Sequence, residues 1–299
     1  MAVKQMGPML SSASPELQKE KSWNFFKTAT PGSLQLSEAL LSHDPDNVHL
    51  LGVLTKGFAS YGFVVHDTEH LAERLHEKRP QPAREEAMLA FSKALDFGFR
   101  FLNANDVKFE DLQSALREDR IGAVLDKGLD GNDILHQDTV FFTGTAWLLL
   151  ANYRRDNMVI ASQISLAFEL IRWTCRHNPN YKAGLCQTME AVFHLARPPM
   201  LGGKPDLAQK MLLEATKKNP HNLLIPVTYM EWYLLPREEE KEYLALKKDV
   251  QAKLKKWREQ SFIPGVASPE DKGSDLLNLF NAMAEKRLAV IESVEKDLF

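Results

Sequence analysis

The sequence of 299 residues predicts an all-α fold, a tetratricopeptide-like solenoid of about four helical hairpins with capping helices. The first observation is a short polar, proline-containing phrase that occurs three times, each time between two helical stretches. These phrases occupy residues 44–47, 178–181 and 219–222. The second observation is that two of them follow small residues at tetratricopeptide-like spacing. Such a solenoid presents a curved surface, so the pattern predicts binding rather than catalysis.

The small-residue spacing is repeated along the chain. Three sets begin with an alanine and continue four and seven positions later, and two of them reach a proline at twelve. The sets are Ala208, Leu212, Ala215 and Pro220; Ala167, Ile171, Thr174 and Pro179; and Ala87, Phe91 and Ala94. Because small side chains let the second helix of a hairpin approach its neighbours, this spacing predicts closely packed helix pairs.

The N-terminal elements follow from periodicity and from proline. We expect residues 1–14 to be a loose leader and residues 15–299 to form a single helical repeat domain. Residues 19–42 predict one or two helices broken near Pro31, because proline removes a backbone donor. The next helix begins after Asn47 and carries an apolar stripe of helical spacing.

The rest of the chain alternates loops and helices. Residues 66–82 predict a charged loop, residues 83–102 a helix, and residues 103–136 an irregular segment with short helices. Regular periodicity then predicts six helices. Their ranges are 139–153, 158–177, 181–196, 204–218, 222–235 and 238–258. A linker at 261–273 leads to a capping helix at 274–298, which the last repeat needs to cover its apolar face.

Composition limits the classes of function. A hydrophobic content of 44% excludes wholesale disorder. The net charge of -3 and the pI of about 6.3 do not favour nucleic acid or an anionic membrane surface. No run of about eighteen apolar residues predicts a membrane span. The N-terminus has no apolar signal core, which is compatible with a cytosolic protein or with removal of a signal.

The two cysteines lie on either side of the second junction phrase. Cys175 and Cys186 are expected on antiparallel neighbouring helices, where a disulfide is geometrically conceivable. Two buried thiols are the commoner outcome for such a pair, and we expect that outcome here.

Motifs for catalysis are weak. His66 and His70 share one face of a helix and could ligate a metal, but a solvated polar helix end explains them as well. Residues 202–204 precede a helix and could hold an anion, although the remaining glycines of a phosphate loop are missing. No nucleophile, zinc-protease or dinucleotide motif is present. The sequence therefore predicts a protein that is not an enzyme, with no metal and no cofactor.

Aromatic residues on the first helices of the predicted hairpins are the candidate ligand-binding residues of a pore or groove. These residues are Phe58, Tyr61, Phe142, Trp147, Tyr229 and Trp232. An aromatic stripe at helical spacing is also typical of core packing, which we expect for more than half of the aromatic residues on these helices. The tyrosines and tryptophans carry polar atoms and are the better candidates for a wet groove.

Several sequence blocks resemble the T component of tetratricopeptide-associated TRAP transporters, the TatT-like family. The main block runs from Leu201-Gly202-Gly203 through Ala208 and Ala215 to residues 220–224 and 227–229. Further blocks are residues 144–147, 156–158, 276–278 and 284–288. The resemblance covers residues 35–297 and is weaker between 65 and 135.

The resemblance implies a non-enzymatic periplasmic accessory protein, lipid-anchored in its precursor. Members of the family are all-helical, can assemble as homotrimers with a pore through each subunit, and are thought to engage the extracytoplasmic substrate-binding subunit. A hydrophobic small ligand in the pore or groove is a further expectation. On this interpretation Met1 stands where a lipoprotein signal and its anchoring cysteine were removed. Residues 107–136 do not match the family pattern.

Two other hypotheses stay open at the level of sequence. A cytosolic tetratricopeptide scaffold binding an extended peptide predicts Lys, Arg and Asn side chains on the concave face. The aromatic and aliphatic residues at those positions favour an apolar ligand instead. A metal-dependent enzyme would have to be built around His66 and His70.

Overall fold

The protein is described by a computed structural model that covers residues 2–260 and 274–299. Within these ranges the regular structure is helical and contains no strand, which confirms the all-α prediction. The predicted linker at 261–273 lies outside the described residues. The described residues divide into two compact units, and the single repeat domain of the sequence analysis stays a prediction. The N-terminal unit comprises Met1–Ser14, Asn24–Glu73 and Arg79–Pro179, and the C-terminal unit comprises Pro15–Trp23, Arg74–Lys78 and Asn180–Phe299, as far as these are described.

Ten α-helices lie wholly or largely in the N-terminal unit. They are α1 (Ala2–Ala13), α2 (Trp23–Leu41), α3 (Val48–Tyr61), α4 (Thr68–Leu75), α5 (Pro82–Ala104), α6 (Phe109–Arg117), α7 (Ile121–Gly128), α8 (Ile134–Tyr153), α9 (Met158–Ser162) and α10 (Ile164–His177). A π-helical turn at Gly62–Asp67 joins α3 to α4. The short helices α6 and α7 occupy the segment that the sequence predicts to be irregular.

The described part of the C-terminal unit contains six further α-helices. They are α11 (Leu185–Leu195), α12 (Pro205–Lys218), α13 (Leu224–Tyr229), α14 (Glu240–Glu259), α15 (Asn278–Glu292) and α16 (Glu295–Leu298). Short turns of other helix types lie between some of them. These are Pro199–Leu201, Met230–Leu234, Leu235–Arg237 and Ser274–Leu277.

Helix α2 is continuous, although the sequence predicts a break near Pro31. Proline has no N–H to donate to the carbonyl four residues earlier, which is that of Lys27. The Tyr61 hydroxyl donates to this Lys27 carbonyl at 3.1 Å. A side chain from a neighbouring helix thus replaces the donor that the proline lacks, and the helix continues.

Two other segments are more helical than the sequence predicts. Residues 2–13 form α1, which packs on α3, where the sequence predicts a loose leader. Residues 66–75 continue the helical run of α3, where it predicts a loop. Among the described residues this run, Val48–Leu75, is long and apolar enough to cross a membrane by length and composition, and 56% of its most apolar window is buried. Buried core helices of soluble proteins satisfy the same criteria.

Helix α8 forms the centre of the N-terminal unit and packs on α3, α5 and α10. Gly144 lies against α10, where an added Cβ would stand 2.6 Å from the Ala167 carbonyl oxygen and 2.9 Å from Ile171 Cγ1. Ala167 and Ile171 belong to the small-residue spacing noted above. The close approach predicted from that spacing therefore occurs here, between α8 and α10.

Polar side chains fix the junctions of the C-terminal unit. The Asn222 amide donates to the Ala183 carbonyl at 2.9 Å. The Asn281 amide oxygen accepts from the Leu223 N–H at 2.9 Å, and its nitrogen donates to the His221 carbonyl at 3.1 Å. The third junction phrase is thus held by α15, the helix expected to cap the fold.

Both cysteines of the chain are disulfide-bonded, so the expectation of two buried thiols is wrong. Whether two cysteines pair depends on the separation and direction of their Cβ atoms. Spacing along the sequence does not determine that geometry.

Candidate ligand-binding pocket

A pocket of about 590 Å³ opens in the N-terminal unit between α5, α6, α8 and α9. This volume is within the range of small-molecule sites. Its lining combines an apolar interior with polar residues. The lining residues are Leu95, Asp96, Phe99, Arg100, Asn103, Val107, Phe109, Glu110, Trp147, Leu150, Ile160 and Gln163.

Three aromatic rings form the floor of the pocket. Phe99 meets Trp147 edge to face, with ring centroids 5.1 Å apart and an interplanar angle of 79°. Phe109 meets Phe99 in the same manner at 5.5 Å and 87°, and its centroid is 6.1 Å from that of Trp147. Edge-to-face contacts are a favoured geometry for aromatic pairs. The floor is therefore held in shape before any ligand binds.

Helical spacing places the lining residues on one side of each helix. Leu95, Phe99 and Asn103 follow one another at intervals of four along α5, so they form one ridge. Trp147 and Leu150 are three residues apart on α8 and share a face. The floor is thus built on the long helices, and only Phe109, at the start of α6, comes from the short ones.

The rim of the pocket is polar, and the positive charge of Arg100 there is already partly neutralised. Arg100 Nη1 lies 3.6 Å from Asp96 Oδ2, and Arg100 Nη2 donates to the Pro45 carbonyl at 2.9 Å. Glu110 adds a second carboxylate to the lining. The rim therefore contains no unopposed positive charge, and its amide side chains, Asn103 and Gln163, can donate and accept hydrogen bonds. This arrangement suits an apolar molecule with an uncharged polar end.

Of the predicted ligand-binding residues in this unit, Trp147 lines the pocket and the other three do not. Phe58 stacks on Phe97 with centroids 5.8 Å apart, and the Lys93 ammonium lies 4.7 Å from the centroid of its ring. Phe142 is buried. Tyr61 donates its hydroxyl to α2 as described, and burial raises the pKa of that hydroxyl.

The two predicted residues in the C-terminal unit lie on and beside α13. Tyr229 is 1% exposed, and its hydroxyl accepts from Gln209 and donates to Glu242, both at 2.9 Å. Burial raises the pKa of Tyr229 to about 12, so this donor keeps its proton at neutral pH. Trp232 is half-buried in the π-helical turn Met230–Leu234. The hydroxyl hydrogen bonds of Tyr229 are thus made within the unit.

Sequence reasoning missed Phe99 and Phe109, which complete the floor around Trp147. For Phe99 a signal was available, because it lies four residues after Leu95 on a predicted helix. Phe109 follows the helix end at Asn105 and lies in the segment predicted to be irregular, so the pattern carries no signal for its position.

The histidines considered as metal ligands are engaged separately. His66 Nδ1 lies 3.8 Å from Glu69 Oε2, and His70 Nδ1 lies 3.2 Å from Glu73 Oε2. His76, a further histidine of this segment, contacts the Ser293 hydroxyl at 3.0 Å. Throughout the part of the chain that the structure describes, no group of three or more His, Cys, Asp and Glu side chains could hold a metal ion.

Comparison with known proteins gives the family. No curated protein sequence matches the chain. The family profile of the TRAP transporter T-component matches residues 20–258, which is most of the chain. This agrees with the resemblance seen in the sequence blocks. The chain therefore belongs to the T components of TRAP transporters, a family of transporter accessory proteins and not a known enzyme family.

Proposed function

We propose that this protein is a non-enzymatic periplasmic accessory component of a TRAP transporter that binds a hydrophobic small ligand and the extracytoplasmic substrate-binding subunit. The observation that supports ligand binding is the pocket of about 590 Å³ with its aromatic floor at Trp147. Family membership supports association with the transport system. The tetratricopeptide-like hairpin arrangement and the homotrimer with a pore are part of the same proposal.

The lining supports an apolar class of ligand. Leu95, Val107, Leu150 and Ile160 surround the aromatic floor with aliphatic surface. Each methylene group buried there stabilises the complex by about 0.8 kcal/mol. Because Arg100 faces Asp96 at the rim, a charged end gains little, and an uncharged polar end fits the amides of Asn103 and Gln163.

Fluorescence of N-phenylnaphthylamine, an uncharged apolar probe, tests the pocket. We expect the purified protein to enhance its emission, and we expect Phe109→Ala and Trp147→Ala to weaken binding about tenfold, or about 1.4 kcal/mol, through loss of the floor. Phe25→Ala is the matched control, because Phe25 is an exposed phenylalanine on α2 and does not line the pocket. Circular dichroism establishes that each variant is folded. Equal binding by all four proteins would contradict the assignment of the pocket.

Native mass spectrometry with and without the neighbouring substrate-binding subunit tests the partner. We expect a homotrimer that takes up this subunit. A ligand-free monomer that ignores the subunit would instead favour the alternative, a cytosolic tetratricopeptide scaffold binding an extended peptide.

The state of the cysteines supports the proposed compartment. Disulfides persist in the periplasm and in other oxidising compartments, and they are rare in the cytosol. Both cysteines of this chain are disulfide-bonded. We expect the protein expressed from its native gene to fractionate outside the cytoplasm, as a lipid-anchored protein released by detergent. Recovery in the cytosolic fraction with alkylatable thiols would contradict this localisation.

A further inference from the structure

A second pocket, of about 310 Å³, lies in the C-terminal unit where α11 ends and α12 begins. It is lined by the end of α11, the loop that follows, the first residue of α12 and Arg237. The lining residues are His194, Leu195, Ala196, Arg197, Pro198, Pro199, Pro205 and Arg237. None of these residues belongs to the lining of the pocket around Trp147, and no candidate ligand-binding residue of the sequence analysis is among them.

The pocket carries positive charge without a carboxylate. Arg197 and Arg237 both line it, and no acidic side chain is in the lining. Within the described ranges, no carboxylate lies within ion-pair distance of either guanidinium. Two arginines that share a concave site without a counter-ion favour an anion there, because a planar guanidinium matches a carboxylate or phosphate with paired N–H donors.

Both guanidinium groups are held in place by aromatic rings four residues earlier in the chain. The Arg197 Cζ lies 4.6 Å from the centroid of the Phe193 ring. The Arg237 Cζ lies 4.0 Å from that of Tyr233, and its Nη1 donates to the Tyr233 carbonyl at 3.3 Å. Arg197 Nη2 also donates to the Leu201 carbonyl oxygen. Each guanidinium has five N–H donors, so these contacts leave others for a ligand. Stacking reduces the conformational freedom that binding would otherwise remove.

The loop between α11 and α12 is shaped by two glycines. Gly202 has φ of +84°, which side chains disfavour. At Gly203 an added Cβ would collide with the Arg197 carbonyl oxygen. The Gly203 N–H donates to the Pro198 carbonyl at 3.1 Å. This fold of the loop places Arg197 and the apolar rings of Pro198 and Pro199 in one wall of the pocket.

His194 provides an unused polar atom. Its Nδ1 is buried and has no hydrogen-bond partner in the part of the chain that the structure describes. A buried polar atom without a partner is costly, and a bound acceptor or donor would remove that cost. Burial lowers the pKa of His194, and a hydrogen bond with the Gly202 backbone acts in the opposite direction.

We propose that this pocket binds a small carboxylate with an apolar body. The carboxylate bridges Arg197 and Arg237 beside the His194 ring, and the body packs against Leu195 and the proline rings. The apolar wall selects an organic carboxylate over inorganic phosphate. This second site does not depend on the proposed function, because it uses different residues in a different unit.

Isothermal titration calorimetry at constant ionic strength tests the site with three probes: benzoate, its uncharged analogue benzamide, and inorganic phosphate. We expect benzoate to bind one site per chain and benzamide and phosphate to bind at least tenfold more weakly. Arg237→Gln should weaken benzoate binding at least tenfold, since it removes one of two guanidinium groups from the site. Lys210→Gln removes the same charge from an exposed position on α12 outside the pocket and should leave binding unchanged.

Three outcomes would overturn the proposal. They are equal binding of benzoate and benzamide, phosphate binding as tight as benzoate, and benzoate binding that Arg237→Gln leaves intact. Arg197→Gln is a second test variant. If this substitution changes the shape of the loop between α11 and α12, Arg237→Gln still decides the test, because Arg237 lies outside that loop. Binding of N-phenylnaphthylamine by Arg237→Gln should equal that of the wild type, so a failure here is separable from a failure at the pocket around Trp147.

Discussion

Substitution Arg287→Met is expected to lower the free energy of unfolding of the C-terminal unit by about 3–5 kcal/mol. Arg287 and Glu231 are 4% and 7% exposed. The guanidinium makes a forked contact with the carboxylate, with Nε to Oε2 at 2.9 Å and Nη2 to Oε1 at 2.7 Å. Methionine keeps much of the arginine volume and leaves the Glu231 carboxylate buried without this partner. The cost arises because the buried carboxylate then keeps only its contact with the exposed Arg74.

Arg74→Met is the matched control, because Arg74 contacts the same carboxylate from the outside. Its Nη2 lies 3.3 Å from Glu231 Oε1, and its side chain is 56% exposed. An exposed ion pair contributes only about 0–1 kcal/mol, since water screens it. Urea unfolding followed by far-ultraviolet circular dichroism measures both variants. Similar losses of unfolding free energy for Arg74→Met and Arg287→Met would contradict this prediction. They would show that burial does not determine how much the pair of Arg287 and Glu231 contributes to stability.

Local signals in the sequence predicted helix starts well. Asn47 caps α3 by accepting the Leu50 N–H at 3.1 Å, and Pro205 begins α12, both as expected from residue preferences at helix N-termini. These features depend on a few neighbouring residues and on backbone donors that every helix start leaves unsatisfied. The all-α class followed from the same local periodicity.

Features that depend on partners distant in the sequence were not predictable. Pro31 looks like a helix breaker, but the Lys27 carbonyl that it leaves without a helical donor accepts from the Tyr61 hydroxyl, thirty positions after Pro31. Residues 2–13 contain Gly7 and Pro8, which are poor helix formers, and are helical where they pack on α3. Tertiary contacts override local preference in both cases.

The candidate pocket also combines a feature that the sequence predicted with features that it did not. Trp147 was identified because an aromatic residue with a polar atom lay on a predicted inner helix, and it does line the pocket. The same reasoning selected Tyr229, whose hydroxyl is hydrogen-bonded to Gln209 and Glu242. Sequence spacing identifies the face of a helix that points inward. It does not show whether this face meets a packed interior or a cavity, because that depends on the side chains that other helices place opposite it.

Substitution Lys56→Met is expected to destabilise the N-terminal unit by about 3–5 kcal/mol, through a different pair of helices. Lys56 Nζ on α3 lies 2.6 Å from Asp138 Oδ2 on α8, and both residues are 8% exposed. Removal of the ammonium leaves the Asp138 carboxylate in the interior without this donor. Lys93→Met removes a lysine that pairs with Glu38 at 2.7 Å while half exposed, and we expect a loss of at most about 1 kcal/mol.

A double substitution separates the cost of a lone charge from the contribution of the pair. Lys56→Met with Asp138→Leu removes both charges and fills the site with apolar groups, which is often neutral or stabilising for a buried pair. We therefore expect the double variant to recover most of the free energy of unfolding that Lys56→Met loses. Urea unfolding of the four proteins of this cycle gives the coupling energy directly. If the losses of the two single variants simply add in the double variant, the coupling energy between Lys56 and Asp138 is zero. The ion pair between α3 and α8 then does not account for the loss of stability.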